Sequence, residues 1–339
     1  MTNNQPWRWF LKLENWVQSI REVWVKMFGQ SPNLITYIGY GSESQVRILA
    51  RAVYTGKKER QDPQIGVRGW KSFLAVPYRL AEVTITVNKQ QYSARTDEGG
   101  ILDHSLQVAL KPGWHSVQLG LENGVQQEAR ILVISKEQRF GVISDIDDTV
   151  MITSLSQPLL ALWNTFLLAE NARDAVSGMP VLYERIHQKN LDAPFLYLST
   201  GAWNAFPNLQ RFMARNMFPL GPMLLTDWGT SSERWFRSGQ EHKRQNLTRL
   251  VEEFPNIRWL LIGDDGEHDP QRYQELASRY PENVLAIAIR KLNNDRVQWS
   301  RVENTESSAD TGTAEPQITW IFGHDGSGIG AQLKNLGLI

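Results

Sequence analysis

The chain has 339 residues, 41% hydrophobic and 21% charged, with Lys+Arg and Asp+Glu both at 36. A net charge of zero excludes the basic surplus with which nucleic-acid binders neutralise phosphates, so no nucleic-acid partner is expected. The absence of cysteine excludes disulfides, thiol catalysis and zinc–cysteine sites, and the length predicts two domains.

The opening, MTNNQPWRWF, has no basic segment followed by an apolar run, so no signal peptide is predicted. No window reaches about 18 uninterrupted apolar residues, the length a membrane-spanning helix needs. A cytoplasmic location is expected. Over 5–28, Trp9, Leu13, Trp16, Val17, Ile20, Trp24 and Met27 recur at a helical spacing of three and four. Residues 1–30 are therefore expected as an amphipathic, Trp-rich helix. It either packs on the body or lies at a membrane interface, where its basic residues would aid a peripheral contact.

From 31 to 136 the period changes to two. ITYIGYG, QVRILARAVYTG, EVTITVNKQQYSARTD, WHSVQLGL and EARILVIS are strand-like runs punctuated by turns such as Val87-Asn88-Lys89 and Lys111-Pro112-Gly113. This predicts an antiparallel β-sandwich without a catalytic cluster. From 137 to 302 strands alternate with helices. FGVIS (140–144), PFLYLS (194–199), GPMLLTD (221–227), IRWLLIG (257–263) and VLAIAIR (284–290) are separated by helical patterns near 157–169, 178–189, 207–216, 240–253 and 270–280. Such alternation predicts an α/β fold with a parallel sheet. Residues 303–316 (ENTESSADTGTAEP) read as a flexible linker, and 317–339 as a C-terminal tail able to dock back. The GSGIG of that tail does not fit G-x-G-x-x-G and is not read as a nucleotide loop.

Ligands of open parallel sheets gather at the carboxyl ends of the strands. There the sequence places Asp145, Asp147, Asp148 and Thr149 after FGVIS, Ser199 and Thr200 at the end of PFLYLS, and Asp264, Asp265 and Asp269 after WLLIG. Lys243 lies near the start of the helical pattern before that last strand. Such types converge for phosphoryl transfer. Asp145 is suited to attack phosphorus, dividing the displacement into two steps through an aspartyl-phosphate. A carboxylate meeting a phosphate dianion requires a hard cation between them. Mg²⁺ is expected, with oxygen ligands from Asp145, the Asp147 carbonyl and Asp264. Asp147 would protonate the leaving oxygen and deprotonate water, while Ser199 or Thr200 and Lys243 hold the phosphoryl oxygens. Asp148 is read as structural, Lys291 as the fallback for Lys243, and His242 and His268 as peripheral. An EF-hand is excluded, because Thr149 and Val150 stand where that loop needs an acid or amide and Gly.

DIDDT (145–149), LST (198–200), Lys243 and GDDGEHD (263–269) resemble, in order, the four motifs of the haloacid-dehalogenase-like phosphatase superfamily. Within it the chain is similar to the actin-patch-associated phosphatidate phosphatase family over roughly 30–300, with RGW (68–70), TDEGG (96–100), PMLLTDWG (222–229) and GEHDPQRY (266–273) adding to the match. The resemblance implies a haloacid-dehalogenase-like (Rossmannoid) sheet with a small helical insertion. It also implies Mg²⁺-dependent hydrolysis of phosphatidate to diacylglycerol, and hence a phospholipid substrate. Where that family has Ser and Gln, this chain has Asp265 and Glu267, so Asp264 and then Asp269 are carried over as metal ligands ahead of Asp265. Ile289-Arg290 matches a family pair that makes Arg290 a phosphate or headgroup contact. The short span between the first two motifs leaves no room for a large cap, and Trp163, Phe166 and Leu167 are either core or an acyl-chain rim. The rival readings are the same chemistry on a soluble phosphate ester or phosphoprotein, and a catalytically idle interaction module.

Overall fold

The computed structural model describes Met27 and residues 29–56, 76–152, 174–226, 232–266, 268–292 and 318–339. Most of the expected N-terminal helix, the RGW triplet, the stretch with Trp163, Phe166 and Leu167, and the expected linker over 303–316 lie outside the described residues. The chain divides into two compact units, one ending at Ile134 and one beginning at Ser135, with Asn204–Asn208 grouping with the first.

The first unit carries β1 (Ser31–Thr36), β2 (Gly39–Gly41), β3 (Gln45–Thr55), β4 (Glu82–Val87), β5 (Gln90–Arg95), β6 (Ile101–Gln107), β7 (Gly113–Leu121) and β8 (Gln126–Val133). The antiparallel character expected from the sequence is present, but the strands join in one hydrogen-bonded sheet rather than two. Its order is β1-β3-β2-β8-β7-β4-β5, with β6 paired to β3 and β2–β8 the parallel pair. Val46, Ile48, Val83, Ile85, Leu102, Val117, Leu119 and Ile131 share its core. The β4–β5 turn places Asn88 and Lys89 at φ 49° and 67°, matching the right-handed strand twist as type I′ turns do. β6 is missing from the strand-like runs in the sequence because Asp103, His104 and Ser105 break its apolar alternation.

The second unit is a six-stranded parallel sheet of order β11-β10-β9-β12-β13-β14. The strands are β9 (Phe140–Asp145), β10 (Phe195–Ala202), β11 (Met223–Thr226), β12 (Arg258–Asp264), β13 (Val284–Arg290) and β14 (Thr319–Gly323). Among the described residues five helices accompany them: α1 (Met179–Lys189), α2 (Phe206–Arg215), α3 (Ser232–Glu253), α4 (Asp269–Arg279) and α5 (Gly326–Asn335). Buried on both faces, β9, β10 and β12 read as continuous apolar runs. The supposed C-terminal tail supplies the sixth strand and the last helix. Strand order reverses between β9 and β12: from β9 the chain builds β10 and β11 to one side, then crosses to β12 on the other. A crevice outside the carboxyl ends at such a reversal is where α/β sheets bind ligands.

Candidate active site

β9 and β12 end at Asp145 and Asp264, one on each side of that reversal. Both are fully buried, as are Asp269 and, within a few per cent, Asp147 and Asp148. Buried carboxylates need charged partners or metal. Lys243 provides the first: its Nζ donates to Asp145 Oδ1 at 2.6 Å and to Asp269 Oδ1 at 2.5 Å, with all three side chains out of solvent. The helix explains how a lysine comes to be buried. Lys243, Leu247, Leu250 and Val251 form one buried stripe of α3 at spacings of three and four, and α3 packs on β10.

Asp269 opens α4 and shares its buried face with Arg272, Tyr273 and Leu276. Arg272 Nη1 donates to Asp269 Oδ1 at 3.1 Å, while Asp269 Oδ2 is buried and accepts no hydrogen bond from the described residues. Tyr273 donates to the Ile262 carbonyl at 3.0 Å. Burial pushes its phenol far above the usual range, and the charges of Asp269, Asp145 and Asp264 push it further. Gly263 is where this packing is tightest. A Cβ there would sit 2.6 Å from Asp269 Oδ2 and 2.8 Å from the Tyr273 ring, so a glycine is what admits the carboxylate.

The second acid of the DIDDT loop is held separately. Ser199 Oγ donates to Asp147 Oδ2 at 2.8 Å and accepts from Gly201 N–H at 2.9 Å. Thr200 Oγ1 is buried and has no partner among the described residues, while its carbonyl accepts from Thr226 Oγ1 at 2.8 Å. Asp264 Oδ1 accepts from Gly266 N–H at 2.6 Å, and Thr149 Oγ1 lies 3.4 Å from Asp264 Oδ2. One carboxylate oxygen from each of Asp145, Asp264 and Asp269 falls within 4.8 Å of the others. An all-oxygen, buried donor set of this kind fits a hard divalent cation.

The structure therefore brings Asp145, Asp147, Ser199, Thr200, Lys243, Asp264 and Asp269 to one sheet edge. Arg290 Nη1 donates to the Asp148 carbonyl and Nε to the His324 carbonyl, at 3.2 Å for the latter. Asp265 turns away from the carboxylate cluster, its Oδ1 accepting from Leu292 N–H at 2.8 Å. Lys291 Nζ lies over the Phe322 ring, 4.9 Å from its centre. His242 contacts Asn246, and His268 is the exposed residue before α4. Sequence reading missed Arg272 and Thr226. The first was detectable as a cation three residues after Asp269 in a helix, and the second as a hydroxyl ending a strand beside LST.

Fold and site together define an α/β protein with a buried acidic, lysine-bridged cluster at the carboxyl edge of a parallel sheet. A sequence model described as "Phosphatidate phosphatase APP1, catalytic domain" matches residues 140–291, so over this stretch the chain is similar to that catalytic-domain family. Phosphatidate phosphatase APP1 of Saccharomyces cerevisiae is 30% identical over 155 residues, covering 45% of this chain and 26% of the yeast protein. An uncharacterised Schizosaccharomyces pombe protein is 28% identical over 169 residues, covering 50% and 28% of the two chains. The chain thus spans about a quarter of the length of the curated relatives it matches.

Proposed function

We propose that the chain is a phosphatase of haloacid-dehalogenase type that removes the phosphate of phosphatidate, leaving diacylglycerol. The observation that carries this reading is the buried Asp145–Lys243–Asp269 bridge beside Asp264, set at the strand-order reversal. The family of residues 140–291 and the yeast relative's name supply the substrate class.

Asp145 is the nucleophile: a carboxylate oxygen bonds to phosphorus as the ester P–O bond breaks. Asp147 gives its proton to the departing oxygen, then takes one from the water that cleaves the aspartyl-phosphate and regenerates Asp145. The Ser199 hydroxyl fixes the Asp147 carboxyl in place. Thr200 Oγ1 and Lys243 would meet the phosphoryl oxygens. Lys243 and Arg272 bring positive charge to the buried carboxylates Asp145 and Asp269. Mg²⁺ held by Asp145, Asp264 and Asp269 would shield the attacking carboxylate from phosphate.

Phosphate release from phosphatidate vesicles, set against release from glycerol-3-phosphate, tests the substrate. Faster turnover of the vesicles, lost on chelation and restored by Mg²⁺, is expected. Equal or faster turnover of the soluble ester would reassign the substrate, and undiminished turnover under chelation would remove the metal.

A further inference from the structure

We infer that Arg290 is a positioning residue. With the C-terminal strand β14 it forms a clamp that holds the Asp145–Thr149 loop in its reactive shape. The loop needs holding: Asp148 sits at φ 50°, a left-handed conformation that residues with a side chain adopt sparingly. Its carbonyl is the one that accepts from Arg290 Nη1, while Nε of the same guanidinium donates to the carbonyl of His324, just beyond β14. A planar guanidinium offers donors in a fixed fork, so it sets the spacing between these two pieces of backbone.

Further main-chain bonds anchor Arg290 itself. In register it faces Asp264 on one side and Gly323 on the other. Its carbonyl accepts from Asp265 N–H at 3.1 Å, and Lys291 N–H donates to Gly323 at 2.8 Å. One residue thus joins the loops after β9 and β12 to β14. That strand lies outside residues 140–291, the stretch the family description covers. The C-terminal segment is thereby part of the catalytic apparatus, acting through Arg290 without touching substrate.

The kinetic arm of the test rests on the phosphatase reading; the exchange arm does not. In the full chain, Arg290→Gln is expected to speed amide hydrogen exchange at least tenfold over 146–151 while the central strands, 140–144 and 258–263, keep their protection. It should lower kcat at least tenfold with KM changed less than twofold, and Arg290→Lys, able to reach one carbonyl, should fall between. Unchanged exchange over 146–151 overturns the clamp. So does a KM rise with kcat intact, which would make Arg290 a substrate contact, and so does equal acceleration in the central strands, which would make it a general stabiliser. A wild-type chain that releases no phosphate from any ester would sink the phosphatase reading and leave the exchange arm to decide the clamp.

Discussion

At the scale of single residues, the site is a problem in charge. Asp145 and Asp269 are buried close enough to share one ammonium, and Lys243 is what makes their ionised forms tolerable. Replacing both members of a buried pair by apolar groups is often harmless, but removing one strands a charge. Lys243→Met should therefore destabilise the fold by about 3–5 kcal/mol and, as loss of one transition-state donor, lower kcat by about 10²–10³-fold. Urea unfolding alongside phosphate release checks both. Unchanged stability would mean that the two carboxylates do not depend on this lysine. The acids and hydroxyls were legible in the sequence because each ends or closely follows an apolar strand, and Lys243 because it sits on the helical pattern between two such strands. Arg272 and Thr226 left a fainter signal, a cation three residues after Asp269 on a helix and a hydroxyl ending a strand, and their partners became plain only in the folded chain. Arg290 was legible as a residue at the site, whereas its partners, both backbone carbonyls, leave no trace in side-chain identity.

At the scale of elements, each secondary structure carries a chemical group where its own geometry puts it. Period two sends Asp145 to one side of β9 and Ser144 to the other, where Ser144 Oγ and the Tyr183 hydroxyl of α1 are hydrogen-bonded at 2.5 Å. Tyr183, Tyr197 of β10 and Tyr273 of α4 are all buried, and burial raises each phenol above the usual value of 10.0. Above that pH the unfolded chain loses phenolic protons that the folded chain keeps, so the folded state binds more protons and stability falls as pH rises. Each such tyrosine contributes a slope of about 1.4 kcal/mol per pH unit. Thermal midpoints measured from pH 9 to 12 should hold to about pH 10 and then drop, less steeply in Tyr183→Phe. A wild-type midpoint indifferent to pH in that range would contradict the burial of these phenols. Strands of the parallel sheet were readable as apolar runs because both faces are covered. β6 and β14 were not. Polar residues break the alternation of β6, and β14 follows a polar stretch that marked it as a tail.

At the scale of the whole chain, the sheet's strand order does the assembling. Placing β9 beside β12 brings together residues more than a hundred positions apart, at the kind of strand-order switch where open α/β sheets bind ligands. The division into an antiparallel and a parallel unit was legible from the change of period near residue 136. The continuous pairing of the first unit's strands was not, because alternation fixes which face is buried and leaves the neighbour of each strand open.

The most direct measurement is acid-quenched phosphate labelling of the protein itself. Wild-type chain and Asp145→Asn would each be mixed with phosphatidate carrying labelled phosphate, in the presence of Mg²⁺. Label bound covalently at Asp145 in the wild type, with neither label nor phosphate release in Asp145→Asn, is what this account predicts. Phosphate release by a folded Asp145→Asn chain at the wild-type rate would contradict it.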